Sequence, residues 1–176
     1  KDSTPPLTAR NASREDVTFI AETELNSRRR LFVTAARDSK IFESELFGRR
    51  DASMVFYRTR ILEQNGVPVG YYEYGTTTKR DKIDVNALEI NAAVNWLDAT
   101  SSMLVDLKSL ADAIETADGG KCEKIEFGFG SEHPAFKLFD SQFGSEKKPY
   151  AWFVRVPDIA ALVSHISSVI EARLAA

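Results

Sequence analysis

The sequence has little of what several kinds of site require. Of its 176 residues only one is cysteine and two are histidine. One cysteine cannot form an internal disulfide, and with two widely separated histidines it leaves no ligand set typical of zinc. The formal net charge of −3 offers no basic surface for nucleic acid, and no apolar run approaches the ~20 residues that a membrane-spanning helix needs. These absences predict a soluble, cytoplasmic protein without nucleic-acid or membrane partners.

What is present is the composition of an ordinary globular protein, with 43% hydrophobic and 28% charged residues. The length suits one domain. Residues 1–6 include two prolines and predict a linker or tail, and residues 7–156 predict a domain. Residues 157–176 predict a C-terminal helix that packs on this core, on a neighbouring domain or on a second copy of the chain. Because the chain begins at Lys1 rather than methionine, we expect a piece of a longer protein or a processed chain.

Two helices are predicted in the first third of the chain. A short strand over 7–10 precedes Ser13, a residue type that begins helices, and an acidic residue follows three positions later. Apolar residues then recur at helical spacing, which predicts a helix over 13–28. A second helix is predicted within 34–47. The basic run 28–30 predicts either a contact to a phosphate or partner, or a solvated helix end whose cations suit the helix dipole.

A hairpin follows these helices. Runs rich in strand-forming residues over 55–63 and 67–74 flank an Asn-Gly pair, which is a strong short-range hairpin signal. The polar stretch 75–82 predicts a loop. Alternation of apolar and polar residues predicts the next strand over 87–94, with Glu89 on the face opposite the core.

The remaining chain alternates helices and strands. An apolar stripe predicts a helix that starts at Thr100 or Ser101 and ends near Thr116. The elements predicted after it are a strand over 124–129, a helix from Pro134 that Gly144 closes, a strand over 150–156, and an amphipathic helix over 158–174.

The order and lengths of these elements resemble the Gcn5-related N-acetyltransferase (GNAT) family over about residues 7–156. Residues 8–16 are similar to the family's opening strand and helix cap, residues 62–70 to its central hairpin, and residues 135–144 to its last core helix. The resemblance implies an α/β (α+β) fold with a mixed, mostly antiparallel central sheet flanked by helices. The helix over 158–174 would be an addition to that fold.

The resemblance also implies an acyl-CoA cofactor, with acetyl-CoA as the first candidate. Family members cradle its diphosphate on a glycine-rich loop at a helix N-terminus. The matching stretch here, 95–103, contains neither glycine nor a basic residue, and Asp98 would repel a diphosphate. Hydroxyl groups at 100–102 remain available to cap the helix. The residues that the resemblance assigns to the cofactor are Ala92, Val94, Thr100, Ser101, Ser102 and Met103.

Two residues are candidates for acid–base catalysis. The resemblance implies a carboxylate base near Glu89, which would deprotonate an amine, while the alternative is an ordinary exposed strand residue. His133 precedes a helix start beside the strands that would hold the cofactor, and its alternative role is a cap whose ring bonds the backbone. Phe139 stands where the family often has a tyrosine that protonates the leaving thiolate, and phenylalanine cannot donate a proton.

Several aromatic residues have two interpretations as well. Tyr71 lies on one face of the hairpin, and Tyr72 and Tyr74 lie on the other. They predict either the wall of a substrate pocket or ordinary packing within the sheet. Trp96 would either plug or floor the cofactor cleft.

Two functions follow from the sequence. The first is an acyltransferase that moves an acyl group from acyl-CoA to a small-molecule amine. The second is a GNAT-like module without catalytic activity, which would dock in a larger protein through the C-terminal helix.

Overall fold

The computed structural model describes residues 5–30, 34–50, 53, 57–76, 82–118, 122, 124–139, 142, 144–148 and 155–175. The chain forms two compact units, Lys1–Gln142 and Phe143–Ala176. The larger unit holds the sheet and most of the helices. The smaller one holds the C-terminal helix.

Five strands and five α-helices can be traced in these residues. The strands are β1 (Thr8–Asn11), β2 (Arg58–Gln64), β3 (Val67–Thr76), β4 (Lys82–Ile90) and β5 (Lys124–Phe127). The α-helices are α1 (Val17–Ser27), α2 (Ser39–Glu43), α3 (Trp96–Asp118), α4 (Pro134–Phe139) and α5 (Ile159–Leu174). Short 3₁₀ turns flank α1 over Arg14–Asp16 and Arg28–Arg30, and α2 continues as a π-helical turn over Ser44–Gly48.

The strands form one sheet in the order β1-β2-β3-β4-β5. The first four strands are antiparallel, and β4 pairs with β5 in parallel. This confirms the predicted α/β fold with a mixed, mostly antiparallel sheet. The hairpin between β2 and β3 turns at Asn65 and Gly66, whose φ angles of 53° and 77° suit a turn that needs two left-handed residues.

Helices cover both faces of this sheet. On one face α3 packs Ala99, Met103 and Leu107, which are spaced by four residues and fully buried, against Leu62 and Leu88. The other face carries a second core, which α1 and α2 cover. Its buried members are Val17, Ile20, Phe42, Ile61 and Tyr71. Tyr72 and Tyr74 belong to the first core, so the tyrosines divide between the faces as predicted.

The start of α1 is fixed by a local network, as its sequence predicts. Ser13 stands at the N-cap and both its backbone N–H and its hydroxyl donate to Asp16 Oδ2, at 2.7 and 2.9 Å. Arg10 on β1 binds the same carboxylate with both terminal nitrogens at 2.7 Å. These bonds tie the helix start to the edge strand, and they hold the pKa of Asp16 down to about 2.

Two predicted boundaries near the centre of the chain are wrong. β4 spans Lys82–Ile90 rather than 87–94, because Lys82 bonds Asp84 and Glu126 at 2.8 and 2.7 Å and so joins the polar stretch to β5. Ala92 and Val94 consequently lie in the turn after β4 and not on the strand. α3 begins at Trp96 rather than at Thr100 or Ser101.

Other boundaries differ in smaller ways. β2 begins at Arg58, while Val55 and Phe56 of its predicted start lie outside the described residues. The predicted strand over 150–156 falls mostly outside them too, and Arg155 and Val156 are described without strand pairing. The described part of α4 ends at Phe139, before the predicted closure at Gly144.

The C-terminal helix is present as predicted. Asp158 caps α5 by accepting a hydrogen bond from the Ala161 N–H at 2.9 Å. The division of the chain into a tail, a domain and an appended helix stays a prediction. Among the described residues, no helix is long and apolar enough to cross a membrane.

Candidate active site

The centre of the larger unit contains a break in the sheet. On β3, Glu73 pairs with Ala87 of β4 and Tyr74 pairs with Val85, so Asn86 of β4 is an extra residue that forms a β-bulge. Bulges bend a strand and re-aim its side chains. β5 pairs with β4 only as far as Val85, with one further bond from Gly128 N–H to Val85 O at 2.8 Å. Beyond this point β4 has no ladder with β5, and the two strands leave an opening.

Glu89 lies on β4 beside this opening, on the face that α1 covers. It is 7% exposed, so the alternative of an ordinary exposed strand residue is wrong. Leu88 lies in the α3 core and Glu89 lies opposite it, as the alternation predicts, and Glu89 is buried because α1 covers this second face of the sheet. Burial raises the pKa of Glu89 to about 7, although the Arg30 guanidinium beside it acts in the opposite direction. A carboxyl with this pKa can accept a proton near neutral pH.

Arg30 connects the end of α1 to the opening. Its Nη2 atom forms an ion pair with Glu89 Oε2, and its guanidinium lies 4.9 Å from the centre of the Trp96 ring. In the same basic run, Arg28 Nη2 donates to the Arg37 carbonyl at 2.7 Å. Arg28 and Arg30 therefore contact groups within the chain at the helix end, where Arg30 stays exposed, and a contact of this run to a phosphate or partner stays a prediction.

His133 crosses the opening between β4 and β5. The Ala135 N–H donates to His133 Nδ1 at 3.2 Å, so the ring proton is on Nε2, which donates to the Leu88 carbonyl at 3.0 Å. The side chain thus forms the backbone-bonded cap that was the alternative to a catalytic role. Burial lowers its pKa to about 4. Acid–base catalysis by His133 would require one of these two bonds to break.

Aromatic rings fill the space around His133. Its ring centre lies 4.9 Å from Trp96 and 4.5 Å from Phe129, and Phe129 lies 5.8 Å from Phe136. We call Trp96, Phe129, His133 and Phe136 the aromatic cluster. These distances are those of packed aromatic pairs. Trp96 therefore packs against His133 and Arg30, and whether it plugs or floors a cofactor cleft stays a prediction.

The residues that the sequence assigns to a cofactor do not converge on one surface. Thr100, Ser102 and Met103 are at most 2% exposed and face the core, while Ala92 is exposed. Ser102 Oγ accepts a hydrogen bond from the Leu7 N–H at 3.1 Å, which ties α3 to the start of β1. Val94 and Ser101 are half-buried. Their assignment to a cofactor stays a prediction.

The N-terminus of α3 is capped by the chain itself. Asn95 Oδ1 accepts from the Asp98 N–H at 2.9 Å, and Asn95 Nδ2 donates to Asp98 Oδ2 at 2.8 Å. Asn95, rather than the hydroxyl groups at 100–102, is the cap. A carboxylate stands in the first turn, and Asn95 already occupies one of the free N–H groups. As arranged, this turn does not fit a diphosphate.

A second polar network on the α1 face was missed by the sequence reasoning. Arg37 contacts Glu24 and Glu73 at 3.2 Å and Glu45 at 3.4 Å. Glu24 also accepts a hydrogen bond from the Tyr71 hydroxyl at 2.7 Å. Burial raises the pKa of Glu73. The available signal was the alternation along β3, which puts Glu73 on the same face as Tyr71.

Among the described residues no cluster of histidine, cysteine and carboxylate side chains could hold a metal ion. His133 is engaged with the backbone, as described above, and Cys122 donates weakly to the Lys124 carbonyl at 3.7 Å.

The chain resembles solved proteins in fold although not in sequence, since no family model and no curated protein matches it. A ribosomal-protein-alanine N-acetyltransferase from Brucella melitensis biovar Abortus has a TM-score of 0.58 at 10% identity, over 85% of this chain and 99% of that one. A GNAT family acetyltransferase from Staphylococcus aureus has a TM-score of 0.51 at 13% identity, over the same shares. A protein described as a predicted acetyltransferase from Clostridium acetobutylicum, solved with acetyl-CoA, has a TM-score of 0.53 at 12% identity, over 85% and 96%. The fold of this chain is therefore that of the GNAT acetyltransferases.

Proposed function

We propose that this chain is an acyltransferase that moves an acyl group from an acyl-CoA, with acetyl-CoA as the first candidate, to a small-molecule amine. The observation that carries the proposal is Glu89, a buried carboxyl at the break in the sheet whose pKa is raised to about 7. Perturbed carboxyl groups of this kind cluster at functional sites. The GNAT fold supplies the reaction class, as a likeness of fold alone.

Glu89 would act on the acceptor. An amine that attacks an acyl carbon must lose a proton, and a carboxylate within hydrogen-bond reach removes it. Arg30 keeps part of the Glu89 population ionised at neutral pH, because its guanidinium lowers the pKa that burial raises. Arg30 is accordingly a positioning residue, which acts through Glu89.

Contacts within the chain occupy the places where an acyl donor would bind. The first turn of α3 does not fit a diphosphate while Asn95 caps it and Asp98 stands there. The aromatic cluster also occupies the opening, and the Leu88 carbonyl is bonded to His133. A donor would have to displace some of these contacts or approach by another route.

These contacts favour a second candidate function, a GNAT-like module without catalytic activity inside a larger protein. In that case the aromatic cluster is a permanent part of the core, and Glu89 with Arg30 is a structural ion pair.

The test separates donor binding from turnover. Calorimetric titration with acetyl-CoA, desulfo-CoA and CoA measures binding, and release of free thiol across a panel of amines measures transfer. For the transferase, we expect Glu89→Gln to lower kcat/KM by about 10²–10⁴-fold without abolishing donor binding. Glu22→Gln, at an exposed glutamate on α1, is the matched control and should change neither.

Two further variants sharpen the result. Asp98→Asn removes the charge at the start of α3 and should tighten donor binding if the diphosphate lies there. Arg30→Met should move the rise of kcat/KM with pH to a higher pH, because the pKa of Glu89 loses its lowering partner. Absence of donor binding at millimolar concentration, together with absence of turnover, would contradict the transferase and support the module.

A further inference from the structure

The ion pair between Arg30 and Glu89 joins two side chains of unequal exposure. The Glu89 side chain is 10% exposed, whereas that of Arg30 is 30% exposed. An arginine that reaches into water has many rotamers, and holding it in one of them costs entropy, which weakens ion pairs at a surface. A further contact that keeps the guanidinium in place would therefore strengthen this pair.

Trp96 supplies such a contact. The Arg30 guanidinium carbon lies over the Trp96 ring, 4.9 Å from its centre. The negative face of an indole ring attracts a guanidinium, and the flat shape of both groups restricts how they lie on each other. Arg30 thus contacts the Glu89 carboxylate through Nη2 and the Trp96 ring at the same time.

The Trp96 ring is itself fixed by its neighbours. Trp96 is the first residue of α3, directly after the capping Asn95. Its ring lies 4.9 Å from the His133 ring at an interplanar angle of 81°. Both nitrogens of the His133 ring are bonded to the backbone, so this ring is fixed as well. A ring anchored in this way can restrict a long side chain that packs on it.

The groups of the α1 region act on the charge of Glu89 in opposite directions. Glu24 on α1 disfavours the ionised carboxyl and raises the pKa of Glu89, whereas Ser27 and Arg30 favour the ionised form and lower it. Among these three groups Arg30 has the largest influence. Its placement consequently decides how much of Glu89 is ionised at neutral pH.

The groups on the sheet and across the opening are neutral at this pH. Tyr71 pairs with Glu89 from β3, and its hydroxyl donates to Glu24 at 2.7 Å. Burial raises the pKa of Tyr71 and lowers that of His133 to about 4, so neither side chain is charged at pH 7. The positive charge that favours ionised Glu89 therefore comes from Arg30.

From these contacts we infer that Trp96 is a positioning residue of the proposed reaction, whose ring holds the Arg30 guanidinium against Glu89. Trp96 acts on Glu89 through Arg30 and contributes no proton or charge of its own. The role in catalysis rests on the proposed function, while the effect of Trp96 on Glu89 can be measured without any substrate.

The test measures the pKa of Glu89 in the full chain without donor or acceptor. Carboxyl ¹³C NMR of the glutamate-labelled protein follows the titration from pH 5 to pH 9, and Glu89→Gln identifies the signal by its loss. We expect Trp96→Leu to raise the pKa by about half a pH unit, which is the size that a partly exposed cation–π contact supports. Arg30→Met should raise it by about 1–2 units, because the whole ion pair is lost.

The sign of the shift separates positioning from packing. A variant that only loosens the packing lets water reach Glu89 and lowers its pKa towards 4.5, whereas loss of the Arg30 contact raises it. In the Arg30→Met background, Trp96→Leu should cause no further rise, because no guanidinium remains to be held. Trp96→Phe keeps a ring and should raise the pKa less than Trp96→Leu does. The phenylalanine variant preserves the test if the leucine variant does not fold.

Phe129→Leu is the matched control. Phe129 packs on the same His133 ring, at 4.5 Å, but it is not the ring on which Arg30 lies. This variant should leave the pKa of Glu89 unchanged or lower it. An unchanged or lowered pKa in Trp96→Leu, an equal rise in Phe129→Leu, or a further rise in the Arg30→Met background would overturn the inference.

These outcomes are distinct from those of the proposed function. A raised pKa in Trp96→Leu without any acyl transfer would keep the placement of Arg30 by Trp96 and remove the transferase. Acyl transfer without a raised pKa would keep the transferase and remove the role of Trp96. If both hold, the rise of kcat/KM with pH should move up by the same half unit in Trp96→Leu.

Discussion

Replacement of Glu89 by glutamine should change how the stability of the fold depends on pH. Burial raises the pKa of Glu89 to about 7 from an ordinary value of about 4.5. Between these pH values the folded chain holds a proton that the unfolded chain releases, so the free energy of unfolding falls as the pH rises. Each pH unit in this interval lowers the free energy of unfolding by about 1.4 kcal/mol, and the whole interval from pH 4.5 to pH 7 lowers it by about 3 kcal/mol. Glu89→Gln removes this loss, because an amide does not titrate.

His133 has the opposite effect in the same interval. Burial lowers its pKa to about 4 from 6.5, so the unfolded chain takes up a proton below pH 6.5 that the folded chain does not. Stability therefore falls as the pH decreases from 6.5 to 4. Since the two effects oppose each other, the wild-type chain should show a shallow dependence on pH where both groups titrate. In Glu89→Gln, the fall in unfolding free energy that His133 causes at acid pH should become measurable.

The assay is urea denaturation of the wild type and Glu89→Gln at pH 5, 6, 7 and 8. The difference in unfolding free energy, variant minus wild type, should grow by about 2.5 kcal/mol in favour of the variant from pH 5 to pH 8. The energy of the Arg30 pair is already contained in the pKa of Glu89, because the pair forms only with the ionised carboxylate. Glu22→Gln should give a flat difference. A flat difference for Glu89→Gln would refute the raised pKa, and with it the argument for a base at this position.

Three other changes test the surrounding structure. Asp106→Asn should lower the unfolding free energy by about 2 kcal/mol in urea denaturation, because Asp106 accepts two bonds of 2.8 Å from the half-buried Arg60 and a contact from the Tyr72 hydroxyl. Thr59→Val should make the chain more stable than the wild type by about 1 kcal/mol, because it removes a buried hydroxyl that has no hydrogen-bond partner among the described residues, and equal or lower stability would contradict this. His133 should remain a neutral ring with its proton on Nε2 at pH 5.5, which long-range ¹H–¹⁵N NMR detects, and His165→Gln assigns the two histidine spectra.

Local signals in the sequence predicted much of the fold. Ser13 with its acidic partner and the Asn-Gly turn of the hairpin act within a few residues, and the structure has both where the sequence indicates. The apolar residues of α3 recur at helical spacing, and this likewise predicts which face of the helix packs on the sheet. These elements could be predicted because the stabilising partner lies close in the chain.

Long-range partners explain what could not be predicted. Lys82 begins β4 because Glu126, 44 residues later, binds it, and no local pattern reveals that. The sequence predicts the face on which Glu89 lies but not its burial or its pairing, because its partner Arg30 is 59 residues away. The predicted start of α3 is wrong for a different reason, because Asn95 caps the helix five residues before the hydroxyl-rich stretch 100–102.

The energetics of Glu89 favour the transferase over the inactive module. A module needs only a packed core, and a glutamine at position 89 would fill nearly the same volume. A buried carboxyl with a raised pKa instead lowers the free energy of unfolding by about 3 kcal/mol above pH 7. Burial likewise raises the pKa of Glu73 on β3, so the ionised form of this carboxyl also destabilises the fold. Arg30 and Arg37 offset these costs only in part, because burial remains the largest influence on the pKa of both carboxyl groups. Carboxyl groups whose pKa is raised by burial are enriched at functional sites, and this is why Glu89 carries the proposed transferase.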